Sequence, residues 1–403
     1  MKSRRKLRIA ICVNGRPHEG GITSFINSVS DGLRETGHHV DIVTIFGISK
    51  YRYVKEKFVS RTDKFLKKNS FTTFILYNLS KIILLLNFVI AYKRNKYDIL
   101  FAIDMSVVNA TKCFTKIINI PVFLNVQSSI VHDLINQGKI EEDSFVARYI
   151  DSEERRAYGN AKGIVANSEY TVNYIKKVNP NHARLTIIRN IVDNKKLYMD
   201  LNKREIGRIK YNIPKNSWVV LFVGRIVNRK GVRYLTLAFR DFIKTEPNAT
   251  LVLVGEGEDG DDEIIEVNRI VNEYKLKPQV IFLGSIPNNK VNEIYSIADT
   301  AVIPSITYKG LEEPLGITAL EGMASGISII ASKIGGLKEI IKEEYNGLLV
   351  PEKDSKAIVK ALKKLKEDSF LRQKLITNAL KNIEETYTPI KVAEKIISFF
   401  KSA

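Results

Sequence analysis

Glu313 and Glu321 stand eight residues apart in the stretch EEPLGITALEGMASG, residues 312 to 326, and two cations, Arg225 and Lys230, flank a loop after the apolar run WVVLFV. Paired carboxylates suit a glycosidase, where both flank one glycosidic bond and one is held protonated. No basic clamp is required for that chemistry. Two cations suit a dianionic diphosphate, each attracting a unit charge at about 4 Å by roughly 4 kcal/mol at an effective dielectric near 20, before desolvation. Pro314 fits a first helical turn, Gly316 leaves room for a bound ring, and ITALEGMAS continues as helix to Gly326. Eight helical residues rise about 12 Å, which would let Glu313 and Glu321 reach opposite ends of one elongated ligand. The set fits a nucleotide sugar. One carboxylate accepts hydroxyl hydrogens from the sugar and the other from the ribose, while helix N–H groups with Arg225 and Lys230 meet the diphosphate.

The elements that must position these groups are short β-branched runs alternating with helical patterns. LRIAICV, HVDIVTIF, DILFAI, PVFLNV and GIVAN read as strands in the first half, and WVVLFVG, TLVLVG, VIFLG, TAVIPS and SIIAS in the second. Nearly continuous apolar strands separated by helices imply parallel sheets covered on both faces, a doubly wound α/β architecture that occurs twice. In such sheets ligands bind beyond the C-terminal ends of strands. After the first strand, Gly20 and Gly21 open a helix, which permits close backbone approach by a ligand or simply a tight turn. The run GEGEDG spells GxGxxG with Gly255, Gly257 and Gly260. Its Glu256, Glu258, Asp259, Asp261 and Asp262 would repel a pyrophosphate, so the loop reads as a tight turn with an acidic helix start.

A length of 403 residues makes two domains the default. The break is expected near residue 195, because 194–217 is polar and Lys-rich and ends in the helix stop Ile213-Pro214. The domains are then 1–195 and 196–386, with 387–403 a terminal amphipathic helix free to pack back on the first. Cys12 and Cys113 are the only cysteines, which excludes a disulfide framework or a cysteine-rich metal site and fits a reducing, cytoplasmic compartment. The basic N-terminus lacks a cleavage pattern and reads as no signal peptide.

Net charge is +19, and residues 1 to 100 hold 19 Lys/Arg against 7 Asp/Glu. No nucleic-acid-binding motif accompanies that charge. An anionic membrane surface at the inner face of the plasma membrane is one partner for it, and a solvated basic face is the plainer reading. Residues 71 to 92 are strongly apolar, but Asn78, Lys81 and Asn87 interrupt them, so a transmembrane helix is not expected. A helix buried on a sheet is favoured over an amphipathic segment resting on a bilayer.

Taken in order, the Gly20-Gly21 loop, Asn167-Ser168-Glu169, Gly224-Arg225 with Lys230-Gly231, E-P-L-G-I-T-A-L-E from Glu313 to Glu321, Gly335-Gly336 and N-G-L-L-V-P at 346 to 351 resemble glycosyltransferase family 4. The likeness covers nearly the whole chain and is to retaining enzymes of GT-B architecture, of the surface-polysaccharide or spore-coat type. It implies metal-independent transfer of a hexose-type sugar from a UDP- or GDP-linked donor, which is a substrate and not a cofactor, to a carbohydrate or lipid-linked acceptor. The first domain would bind acceptor and the second donor. Glu313, Arg225 and Lys230 would be catalytic, the cations stabilising the leaving diphosphate. Donor contacts would come from Gly20, Gly21, Gln127, Gly284, Ile286, Leu315, Gly316, Ile317 and Glu321 besides those three, and acceptor-side contacts from Asn167, Ser168 and His132.

One departure stands out. Gln127, in PVFLNVQSSI, takes the place of a family histidine; Gln can hydrogen-bond a sugar hydroxyl but cannot take a proton at neutral pH. His132 is a substitute, or a surface or helix-capping residue. Rival readings are an inactive nucleotide-sugar-binding protein and, from GxGxxG alone, an NAD-dependent oxidoreductase.

Overall fold

The computed structural model describes residues 6–14, 21–49, 70–127, 129–136, 140–258, 260–313 and 316–403. The chain forms two compact units, Met1–Arg189 with Pro389–Ala403, and Asn190–Thr388. Each is an α/β domain built on one sheet, as expected.

The first unit has strands β1 (Arg8–Val13), β2 (His39–Thr44), β3 (Gly47–Ser49), β4 (Ile99–Ala102), β5 (Val122–Val126), β6 (Gly163–Ala166) and β7 (Arg184–Ile187) in the order β3-β2-β1-β4-β5-β6-β7. Inner strands such as β4 and β5 are buried along their whole length, which is why their sequences are unbroken apolar runs rather than alternating ones. One expectation is corrected. The sheet is not wholly parallel, because β3 runs antiparallel to β2, pairing Thr44 with Gly47. Three residues beginning with glycine carry too little periodicity to announce a strand. The C-terminal helix Pro389–Ser402 belongs to this unit. Phe400 packs on Phe123 at 4.4 Å between ring centres, and a Cβ at Gly32 would lie 2.1 Å from the carbonyl oxygen of Pro389.

The apolar segment is the helix Ser70–Asn95, and the expectation that it is buried is also corrected. Leu84, Phe88 and Ala91 enter the core, yet only a minority of the helix is covered.

The second unit is parallel throughout. Its strands β8 (Trp218–Val223), β9 (Ala249–Val254), β10 (Val280–Gly284), β11 (Thr300–Ile303), β12 (Ser328–Ser332) and β13 (Leu348–Val350) lie in the order β10-β9-β8-β11-β12-β13. Chain order therefore reverses between β8 and β11, and the crevice outside their carboxyl ends is where ligands bind in sheets of this kind. In the first unit the equivalent reversal lies between β1 and β4.

Candidate active site

Lys230 and Glu313 meet at the β8/β11 reversal. Lys230 ends a short 3-10 turn, Asn228–Lys230, in the loop after β8, and Gly231 then adopts φ +61° to start the helix Val232–Phe242. A Cβ at Gly231 would lie 2.2 Å from the Pro304 carbonyl oxygen, so only glycine lets this loop close on the end of β11. Ile306 N–H donates to the Arg229 carbonyl at 2.8 Å and fixes the same approach.

Glu313 is 5% exposed and accepts from Lys230 Nζ at 2.5 Å and from the Ser305 hydroxyl at 3.1 Å, with Arg229 at 3.9 Å. Burial alone would raise its pKa, but Lys230, Arg229 and Ser305 outweigh burial and hold the carboxyl at about 2. Burial lowers the pKa of Lys230, opposed by Glu313. Glu313 is thus a fixed acceptor of hydrogen bonds and no proton donor or base near neutral pH.

Glu321 differs. It takes one hydrogen bond, from the Tyr295 hydroxyl at 3.0 Å, and burial pushes it up to about 7 despite that bond. The helix runs Ile317–Ala324 and starts after Gly316 at φ +55°, with no side chain capping it. This corrects the helical span from Glu313 to Glu321: Glu313 precedes the helix, and the rise argument does not connect the two carboxylates. Pro314 and Leu315 lie outside the described residues. Gly316 is buried, and a Cβ there would lie 2.7 Å from Ile340 Cδ1.

Arg225 is exposed and pairs with Glu258 from the acidic loop. That loop has more to do than start a helix. Asp261 accepts from the backbone and side-chain nitrogens of Asn228, and Glu263 accepts from Arg233. Of the carboxylates that look crowded in sequence, Glu258 and Asp261 are therefore engaged by the loop after β8. Gly255, at φ +130°, would place a Cβ 1.8 Å from the Gly224 carbonyl, so the first glycine of GxGxxG serves strand packing. Gly284 closes β10 at φ +64°, its carbonyl accepting from Gly255 N–H at 2.9 Å, and Ile286 packs on the core beneath.

Sequence reading missed Ser305, Arg229 and Tyr295 as neighbours of the carboxylates. Gly335 was quoted only within a motif, yet its Cβ would lie 2.2 Å from the Glu313 carbonyl oxygen at φ +45°, and Gly336 N–H donates to that oxygen at 2.8 Å. The glycine pair fixes the backbone that presents Glu313.

In the first unit the residues after β5 form a neutral amide network. Gln127 is buried and donates to Asn125 Oδ1 at 3.0 Å, while its backbone oxygen accepts from Asn167 Nδ2 at 2.8 Å. Ser168 caps the helix Glu169–Val178, and Asn167 accepts from Thr171. His132 sits in the helix Ile130–Asn136, its ring centre 5.6 Å from that of Tyr174. Beneath it, Glu154 accepts from Tyr158 at 2.8 Å, Tyr174 at 3.0 Å and Ser129 at 3.2 Å, and burial still pushes it up to about 7. Gly21 begins the helix Gly21–Glu35, and Gly20 lies outside the described residues.

Known proteins share this arrangement of domains. Residues 203–382 match the family described as Glycosyl transferases group 1, and residues 19–196 match Glycosyltransferase Family 4. This chain is a glycosyltransferase of the family 4 type. The glycosyltransferase is 25% identical over 389 residues, 95% of each chain, to an uncharacterized glycosyltransferase of Methanocaldococcus jannaschii. Over 55% of each chain it is 28% identical to the UDP-Gal:alpha-D-GlcNAc-diphosphoundecaprenol alpha-1,3-galactosyltransferase of Escherichia coli. Its fold is that of a sucrose-phosphate synthase from Thermosynechococcus elongatus, with TM-score 0.74, 22% identity and coverage of 98% and 99% of the two chains. The Anabaena protein HepE, solved in complex with UDP-glucose, has the same fold, with TM-score 0.72, 17% identity and coverage of 98% and 100%.

Proposed function

We propose that the chain moves a hexose-type sugar from a nucleoside diphosphate to an acceptor hydroxyl with retention, without a metal ion, in the building of a surface polysaccharide or glycolipid. The observation that carries this is the Lys230–Glu313 pair at the β8/β11 reversal. Lys230, with Arg225 after release from Glu258, meets the diphosphate, and Glu313 accepts hydroxyl hydrogens from the sugar. The uncapped start of the Ile317–Ala324 helix offers N–H groups and a partial positive charge to the same phosphates. Glu321 accepts from the ribose.

In the reaction the bond from the anomeric carbon to the diphosphate oxygen breaks, and the bond to the acceptor oxygen forms on the same face. The acceptor proton passes to the departing phosphate. A carboxyl held at about 2 could not take that proton, which supports a binding role for Glu313 over a basic one. Lys230 stabilises the negative charge that develops on the leaving group. The HepE complex with UDP-glucose and the galactosyltransferase relative support a UDP-linked donor.

The test is a thermal-shift panel of UDP- and GDP-linked sugars, followed by detection of free nucleotide. A donor at a hundred times its dissociation constant adds about 2.7 kcal/mol to the stability of the folded form. Release of UDP or GDP that is lost in Lys230→Met supports transfer. A shift with no nucleotide release indicates a binding protein without activity, and no shift with any donor overturns the reading.

A further inference from the structure

The helix Ser70–Asn95 is inside out. Four of its polar residues face the protein: Asn78 accepts from the Tyr149 hydroxyl at 2.7 Å, Lys81 is paired with Glu153, Asn87 donates to the Thr44 carbonyl at 2.9 Å, and Asn95 donates to Asp41 at 2.8 Å. Most of its aliphatic residues face out. Ile75, Leu79, Ile82, Ile83, Leu86 and Ile90, spaced as one helical stripe, are 36% to 57% exposed. Phe145, 66% exposed and in ring contact with Phe74 at 5.9 Å, widens the stripe at its N-terminal end. A helix turned to water carries the opposite arrangement, and a contiguous exposed apolar ridge marks an interaction surface.

Lys93, Arg94 and Lys96 stand exposed at the C-terminal end of the stripe, and the helix contains no Asp or Glu. We propose that this face seats on an anionic lipid bilayer, with the aliphatic stripe at the acyl boundary and the three cations among the head groups. Charge selects the occupant. A second copy of the same helix would bring cations and no counter-charge, whereas acidic lipids supply it along the whole edge. The helix is long and apolar enough to cross a membrane, but Leu84, Phe88 and Ala91 are locked in the core of the first unit and the four polar anchors hold it to that body. It therefore lies in the plane of the interface. Docking by this face is independent of which sugar the second unit transfers.

The test is co-sedimentation of the full chain with vesicles of phosphatidylglycerol and phosphatidylcholine, or of phosphatidylcholine alone, at low and high salt. The chain is expected to sediment with the anionic vesicles at low salt. The exposed-face variant Leu79→Gln/Ile82→Gln/Leu86→Gln should lose at least tenfold in partitioning while keeping its melting temperature. Lys93→Gln/Arg94→Gln/Lys96→Gln should lose the dependence on salt and on acidic lipid. Failure of the unaltered chain to bind anionic vesicles at low salt overturns the proposal, as does undiminished binding by the aliphatic variant. A dimer in lipid-free sedimentation that the aliphatic variant converts to monomer would assign the face to a second copy and overturn it too.

Discussion

Each sheet reverses its chain order once, and a carboxylate stands at each reversal. At β1/β4, Asp104 accepts from the backbone of Asn14 at 2.9 Å and Ser106 at 2.9 Å and caps the helix Met105–Ile117. At β8/β11, Glu313 accepts from a lysine and a hydroxyl beside an arginine. Burial pushes the Asp104 carboxyl up, and its neutral donors only moderate that rise. At Glu313 the cations reverse it. The same place in the same topology thus holds a helix cap in one unit and a buried ion pair in the other, and the identity of the partners decides which.

The contrast breaks most visibly at Lys230. Lys230→Met should lower turnover by roughly a hundred- to a thousandfold, the usual cost of one preorganised electrostatic group. It should also cost about 3 kcal/mol of stability, because Glu313 is left buried without its cation. The double variant Lys230→Met/Glu313→Gln should regain most of the melting temperature and none of the activity. If the single variant melts like the unaltered chain, the pair is not the charged centre described.

The pH dependence sharpens the same point. Glu154 is raised from 4.5 to about 7. Its contribution to stability is therefore fully present below pH 4.5 and is lost as pH rises through 7, by at most about 3 kcal/mol. Glu154→Gln should remove its share of the slope between pH 5 and 8 and leave that of Glu321, also raised to about 7. Glu313, lowered to about 2, contributes above pH 4.5 and loses that contribution as pH falls toward 2, so Glu313→Gln should flatten only the acid limb. Denaturant melts across pH distinguish the two windows.

Gly335→Ala tests the backbone that presents Glu313. A positive φ and a methyl group 2.2 Å from a carbonyl oxygen should cost roughly 2 kcal/mol, with loss of activity, read by melting and nucleotide release. The smallest effect belongs to the first reversal. Asp104→Asn keeps the capping acceptor for Ser106 but turns an amide NH2 toward the Asn14 N–H, so it should cost about 1 kcal/mol in a urea titration.

The two wound sheets were legible in the chain, since short β-branched apolar runs that alternate with helical segments are best buried as inner parallel strands. The sequence also brought Arg225, Lys230, Glu313 and Glu321 into view, because loops after such strands are where ligands bind. Short β3 escaped, and so did the true start of the helix before Glu321, where a left-handed Gly316 breaks a pattern that reads as continuous. Tertiary structure alone decided the rest. Which charge neutralises which depends on distances between loops remote in sequence, as with Lys230 and Glu313 or Arg225 and Glu258. Which face of Ser70–Asn95 is turned outward depends on where Asn78, Lys81, Asn87 and Asn95 find partners, and those lie on other strands and helices. Periodicity gives the stripe but not its direction, because the side of a helix that is buried is fixed by what packs against it.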